Sequence, residues 1–115
     1  MPIDLLFQTV AKCLEKCHEK STALESPLRL QTFIAGRNRL EYTSTVALSK
    51  AFERIGTLEE IAMPQNGITW KGITALAKSI ELNPLLRSLN LGDNTFGKKG
   101  AFAMAEVCLN LSRSL

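Results

Sequence analysis

Arg37 and Arg39 are the residues of this chain best suited to act on a charged group. They lie two positions apart in Ala35-Gly36-Arg37-Asn38-Arg39-Leu40-Glu41. A guanidinium stays charged at any physiological pH and donates in a planar fork. Two of them on one turn could act as an arginine finger, stabilising charge that develops on a transferred phosphate. They could instead meet an acidic patch on another protein. Glu41 follows on the same segment. Gln65 and Asp93 succeed Arg37 at intervals of 28 residues. A mixed Arg/Gln/Asp row suits a polar protein interface, although a merely solvated rim would carry similar residues.

The other reactive residue types assemble no chemistry. His18 is the single histidine. Cys13 and Cys17 lie at helical spacing while His18 points elsewhere, so a metal site there is disfavoured. The three cysteines cannot all pair, and they read as reduced, buried or half-buried thiols. Glu59 and Glu60 are adjacent on a strand and point to opposite sides, so they cannot work as a carboxylate pair. Asn66-Gly67 is a turn. No glycine-rich phosphate loop and no nucleophile with a base is present, so no catalytic residue, cofactor or metal ligand is assigned. The net charge of +3 is too small to argue for nucleic acid. The sequence carries no apolar run long enough for a membrane span and no secretory signal.

The elements that position the arginines repeat. Leu30–Leu40, Leu58–Ile68 and Leu86–Phe96 share one pattern, with Asn38, Asn66 and Asn94 at equivalent places 28 residues apart. A fixed period of this size marks a solenoid, and Leu-x-x-Leu-x-Leu-x-x-Asn-x-Leu is the pattern of a leucine-rich repeat. Phe33 and Ala35, Ile61 and Met63, and Leu89 and Leu91 are paired two apart, so each pair faces the core from a short strand. Leu40, Ile68 and Phe96 return to the core after the turn. The three asparagines are read as structural, because a stacked amide can donate to and accept from the turn backbone. Strand residues Thr32, Ile34, Glu60, Ala62, Ser88 and Asn90 would line the inner surface. The turns would form one rim carrying Arg37, Arg39, Glu41, Gln65, Gly67, Thr69, Asp93, Thr95 and Gly97.

Helices alternate with these strands. Ile3, Leu6, Val10, Cys13, Leu14 and Cys17 predict a helix over about Ile3–Lys20, with Asp4 placed to suit its dipole. Ser21–Pro27 reads as a loop. Further helices are expected near Thr43–Arg54, Trp70–Leu82 and Lys98–Leu111. Their core residues would be Ala47, Leu48, Ala51 and Phe52; Ile73, Leu76, Ala77 and Ile80; and Ala101, Met104, Ala105 and Cys108. Trp70 is expected to pack in the outer layer. The chain is therefore one α/β segment: 1–29 a partial repeat, then repeats 30–57, 58–85 and 86–115. A parallel sheet would lie inside and helices outside, in a right-handed coil. Neither end shows a polar cap, so the sequence reads as a piece of a longer repeat protein or one that self-associates through its ends.

Three rim segments are more specific than the generic repeat: Ala35–Glu41; Met63-Pro64-Gln65-Asn66-Gly67-Ile68 with Gly72-Ile73; and Asn90-Leu91-Gly92-Asp93-Asn94-Thr95-Phe96 with Lys99-Gly100-Ala101. Together they resemble the leucine-rich-repeat domain of the Ran GTPase-activating proteins, from about Cys17 to Glu106. Tyr42-Thr43-Ser44 departs from the small or flexible run that the family places after Glu41. The resemblance implies a crescent of ribonuclease-inhibitor type that contacts the small GTPase Ran, in its GTP-bound form, through rim loops. It implies stimulation of GTP hydrolysis by orienting the GTPase's own groups rather than by an arginine finger. A cytoplasmic or nuclear-envelope location in nucleocytoplasmic transport follows from it. Arg37, Arg39 and Glu41 carry over as partner-binding residues, with Gln65 and Asp93 on the same rim. The alternative is a repeat scaffold for protein interaction without effect on hydrolysis.

Overall fold

A computed structural model describes residues 3–25 and 29–113, with the backbone alone at Ile3, Asp4 and 110–113. Four helices and three strands alternate: α1 Ile3–Ala23, β1 Thr32–Ile34, α2 Tyr42–Ile55, β2 Glu60–Ala62, α3 Trp70–Glu81, β3 Ser88–Asn90 and α4 Gly97–Arg113. The strands form one parallel sheet in the order β1-β2-β3. Phe33 pairs with Ile61 and Ile61 with Leu89, so the register equals the sequence period. Among the described residues, helix–helix packing joins neighbours along the chain, α1 with α2, α2 with α3 and α3 with α4, as a stack of units that cannot bury their own faces requires.

The core lies between the sheet and the helix layer. Leu40, Leu48, Phe52, Leu58, Ile61, Met63, Ile68, Ile73 and Leu76 are fully buried there. The ring of Phe33 meets that of Phe52 edge-on, with centroids 5.0 Å apart, the preferred arrangement for two aromatic quadrupoles. Burial is uneven along the stack. Ile61 on the central strand is inaccessible, whereas Phe33 and Leu89 on the flanking strands are half-buried. Thr32, Ile34, Ser88 and Asn90 are exposed on the opposite face, and Glu60 and Ala62 partly so.

Two glycines mark close approaches. A Cβ on Gly100 would sit 2.5 Å from the Cβ of Phe96, and one on Gly72 would sit 2.9 Å from Cγ2 of Ile68. In both repeats the residue returning to the core packs against the first turn of the following helix. Ser44, the equivalent in α2, is buried with a side chain present. Gly56 ends α2 at φ 69°, its N–H bonded to Phe52 O at 3.1 Å, a left-handed cap that costs glycine little.

The outer helices correct part of the sequence reading. In α1, Ala11 is buried and Phe7, Val10 and Leu14 pack against the core, while Leu6, Cys13 and Cys17 are exposed. These two sets lie roughly a quarter turn apart at 100° per residue. In α4, Val107 and Gly100 are buried, but Ala101, Ala105 and Cys108 are exposed. Their equivalents in α3, Ile73, Ala77 and Ile80, are buried because that helix has a neighbour on each side. All three thiols are thus exposed rather than buried. Ser21–Ala23, expected in a loop, extends α1. Residues 26 and 27 of that loop, and the Asp4 side chain expected at the helix dipole, lie outside what is described.

Candidate functional site

The rim turns are built by continuing the parallel ladder beyond the strands. Ala35 N–H donates to Ala62 O at 2.8 Å and Arg37 N–H to Pro64 O at 3.0 Å. One repeat later, Met63 N–H donates to Asn90 O at 2.8 Å and Gln65 N–H to Gly92 O at 2.9 Å. The backbones of Arg37 and Gln65 are therefore tied to the next repeat before their side chains do anything.

Four of the expected site residues, Arg37, Arg39, Gln65 and Asp93, share an unusual backbone with positive φ. Arg37, Gln65 and Asp93 have φ of 58°, 55° and 56°. This left-handed conformation costs an L-residue about 1–2 kcal/mol, and the packed turn has to supply it. It turns the chain so that the following asparagine enters the core. It also stacks the three side chains outward in register: Arg37 Nε donates to Gln65 Oε1, and Gln65 Nε2 donates to Asp93 Oδ2 at 3.4 Å. The result is a polar row running from a cation through an amide to a carboxylate. Only the Nε–H of Arg37 is engaged in it, so the terminal nitrogens keep donors for a bidentate carboxylate.

Arg39 and Glu41 stand beside this row and not in it. Arg39 is exposed, also with positive φ, 49°. Glu41 precedes α2 in extended backbone, and its side chain makes no cap hydrogen bond. Among the described residues neither side chain forms a hydrogen bond or an ion pair.

Below the row runs a second ladder. Asn66 Nδ2 donates to Ala35 O at 2.8 Å, and its Oδ1 accepts from Asn38 N–H at 2.7 Å. Asn94 repeats both contacts one unit on, with Met63 O at 2.9 Å and Asn66 N–H at 2.9 Å, and it also accepts from Ile68 N–H at 3.1 Å. The side-chain amide of Asn38 donates to Gly36 O of its own turn at 2.8 Å. The ladder thus points one way, each amide bracing the turn before it. These bonds hold the rim in place from beneath.

Two features escaped the sequence reading. Asn83 is buried; it accepts from Leu58 N–H at 3.0 Å and donates to Phe52 O at 3.0 Å and Ser79 O at 2.7 Å. It joins the ends of α2 and α3 to the approach to β2. Its equivalent in the previous repeat is Ile55, so no repeat pattern announces it. Trp70, expected to pack, is 41% exposed at the start of α3, on the same rim as the turns.

Glu59, no partner of Glu60, pairs with Arg87 at 3.4 Å. Among the described residues no group of three or more His, Cys, Asp or Glu side chains could hold a metal ion, and no helix is long and apolar enough to cross a membrane.

Comparison with known proteins agrees with the repeat architecture. A leucine-rich repeat family model matches residues 82–105. Ran GTPase-activating protein 1 of Xenopus laevis is 61% identical over 59 residues, 51% of this chain and 10% of that protein. Ran GTPase-activating protein 2 of Caenorhabditis elegans is 52% identical over 66 residues, 57% of this chain and 7% of that protein. Ran GTPase-activating protein 1 of Saccharomyces cerevisiae is 34% identical over 102 residues, 87% of this chain and 25% of that protein. The chain is thus similar, over much of its length, to a part of these proteins, and it spans a quarter or less of each.

Proposed function

We propose that this chain is a segment of a GTPase activator for Ran, and that it contributes a contact surface through its rim turns. The observation that carries this is the row Arg37–Gln65–Asp93, three non-glycine residues held in left-handed backbone and hydrogen-bonded side chain to side chain. A row fixed before binding loses little entropy on docking. With Arg39 beside it, it offers a cationic end to an acidic surface of the GTP-bound protein, and Gln65, Asp93 and Glu41 extend the polar contact. In this role the protein is a regulator of another enzyme's hydrolysis, without an active site of its own.

The finer architecture belongs to the same proposal. Residues 1–115 form one leucine-rich-repeat segment, with a partial repeat over 1–29 and repeats at 30–57, 58–85 and 86–115. It would curve as a right-handed crescent of ribonuclease-inhibitor type. The place of action is the cytoplasm and the nuclear envelope, in nucleocytoplasmic transport. The names and partial coverage of the relatives support this reading.

The test is single-turnover hydrolysis of Ran-bound GTP with and without the chain, paired with a binding titration. Acceleration places a stimulatory group within these repeats. Binding without acceleration supports a contact segment whose stimulatory groups lie elsewhere in a longer protein. A folded chain that neither binds nor accelerates overturns the proposal and leaves an interaction scaffold with a different partner.

A further inference from the structure

Trp70 occupies a repeat position that the core does not use. Its equivalents are Tyr42 and Lys98, one an exposed aromatic and the other a cation, so nothing about the fold asks for an indole there. Two ammonium groups from different helices converge on its ring. Lys99 Nζ of α4 lies 4.7 Å from the centroid and Lys71 Nζ of α3 lies 5.9 Å from it. Each alone gains from the ring's negative face, but together they repel one another.

The helix ends make this arrangement more costly. The first turns of α2, α3 and α4 contain no acidic residue. Helix N-termini carry partial positive charge and favour anions. Here Lys71, Lys98 and Lys99 sit in the first turns of α3 and α4, the end of the dipole that disfavours them. Cations against a helix N-terminus, with an exposed indole between them, form an unbalanced positive surface. It follows directly on the rim turns, which carry Arg37 and Arg39 as cations and Glu41 and Asp93 as carboxylates.

We infer that the partner surface continues from the turns onto the first turns of α2 to α4, where Trp70 with Lys71 and Lys99 anchors an acidic protein surface. A partner carboxylate settles between the ammonium groups and relieves their repulsion, while the indole packs against apolar atoms beside it. Tyr42, more than half exposed, extends this aromatic strip. This inference rests on the reading that the chain docks onto a GTPase, and it adds the residue that would dominate the affinity.

Trp70 is the one tryptophan of the chain, so 5-fluorotryptophan labelling yields a single 19F resonance. The experiment titrates the labelled chain with Ran carrying a non-hydrolysable GTP analogue, and measures Kd separately by calorimetry. The expected results are a shifted or broadened resonance and a Kd raised about tenfold in Trp70→Ala. The double reversal Lys71→Glu/Lys99→Glu should slow association and flatten its salt dependence, which keeps the test decisive should Trp70→Ala fail to fold. An unmoved resonance with unaltered Kd in these variants overturns the inference while leaving the GTPase reading intact. A wild-type chain that does not bind overturns both. A resonance moved by a single-stranded oligonucleotide and not by the GTPase overturns it in favour of a nucleic-acid surface.

Discussion

Replacing Asn66 by Ala should be the most damaging of the three equivalent asparagine truncations. Asn66 is 3% exposed, and its amide serves two groups of the preceding turn, Ala35 O and Asn38 N–H. Truncation leaves both unpaired, Ala35 O in the core and Asn38 N–H part-buried, where water reaches them poorly. At about 1–3 kcal/mol for each unsatisfied group, the loss is about 2–6 kcal/mol. Asn94 also braces its neighbour, through Met63 O, Asn66 N–H and Ile68 N–H, but it is half-buried at the far edge of the sheet. Water can replace part of what it gives, so Asn94→Ala should cost about 1–2 kcal/mol. The Asn38 side chain bonds to Gly36 O of its own turn, and Asn38→Ala should cost about 1 kcal/mol or less. The assay is urea unfolding of the three variants by circular dichroism, with an unchanged m-value showing that stability alone has moved. Equal losses at the three positions would refute the one-way ladder, as would a loss below about 1 kcal/mol for Asn66→Ala.

Other substitutions probe separate features. Ile61→Ala should cost about 2–5 kcal/mol in the same unfolding assay, and Phe33→Ala and Leu89→Ala less than their size suggests, because the flanking strands are half-buried. Gly100→Ala should lower stability by about 1–3 kcal/mol through its clash with Phe96, with a matching fall in Tm. Arg37→Gly should raise stability by about 0.5–1 kcal/mol, the released left-handed strain less the added chain entropy of glycine, while weakening partner binding. Arg37→Glu with Arg39→Glu should slow association with GTP-bound Ran and reduce the salt dependence of its rate in stopped-flow measurements.

The strands and turns were legible because their signal is local. Phe33 with Ala35, Ile61 with Met63 and Leu89 with Leu91 alternate at the strand period, and the recurrence of Asn38, Asn66 and Asn94 sets the register. The helix faces of α1 and α4 were not, because an apolar stripe does not say which of its flanks is covered. Leu6, Cys13 and Cys17, like Ala101, Ala105 and Cys108, lie on uncovered flanks. The site was half visible. Its residues could be named from the spacing, but Arg, Gln and Asp carry no glycine-like mark of positive φ, so the strained backbone and the side-chain row it produces had no sequence signal. Asn83 was hidden for a similar reason: what it bonds comes from distant parts of the chain.

The left-handed positions separate what the fold demands from what recognition demands. At Arg37, Gln65 and Asp93 the fold requires a residue that tolerates positive φ, and it specifies nothing about charge or size. A cation, an amide and a carboxylate satisfy that one requirement equally in three consecutive units. The rim is therefore a line of text on an unchanging page. On the proposed reading, substitution among non-glycine residues there would change which partner is read while the Asn ladder and the core beneath go on assembling as before.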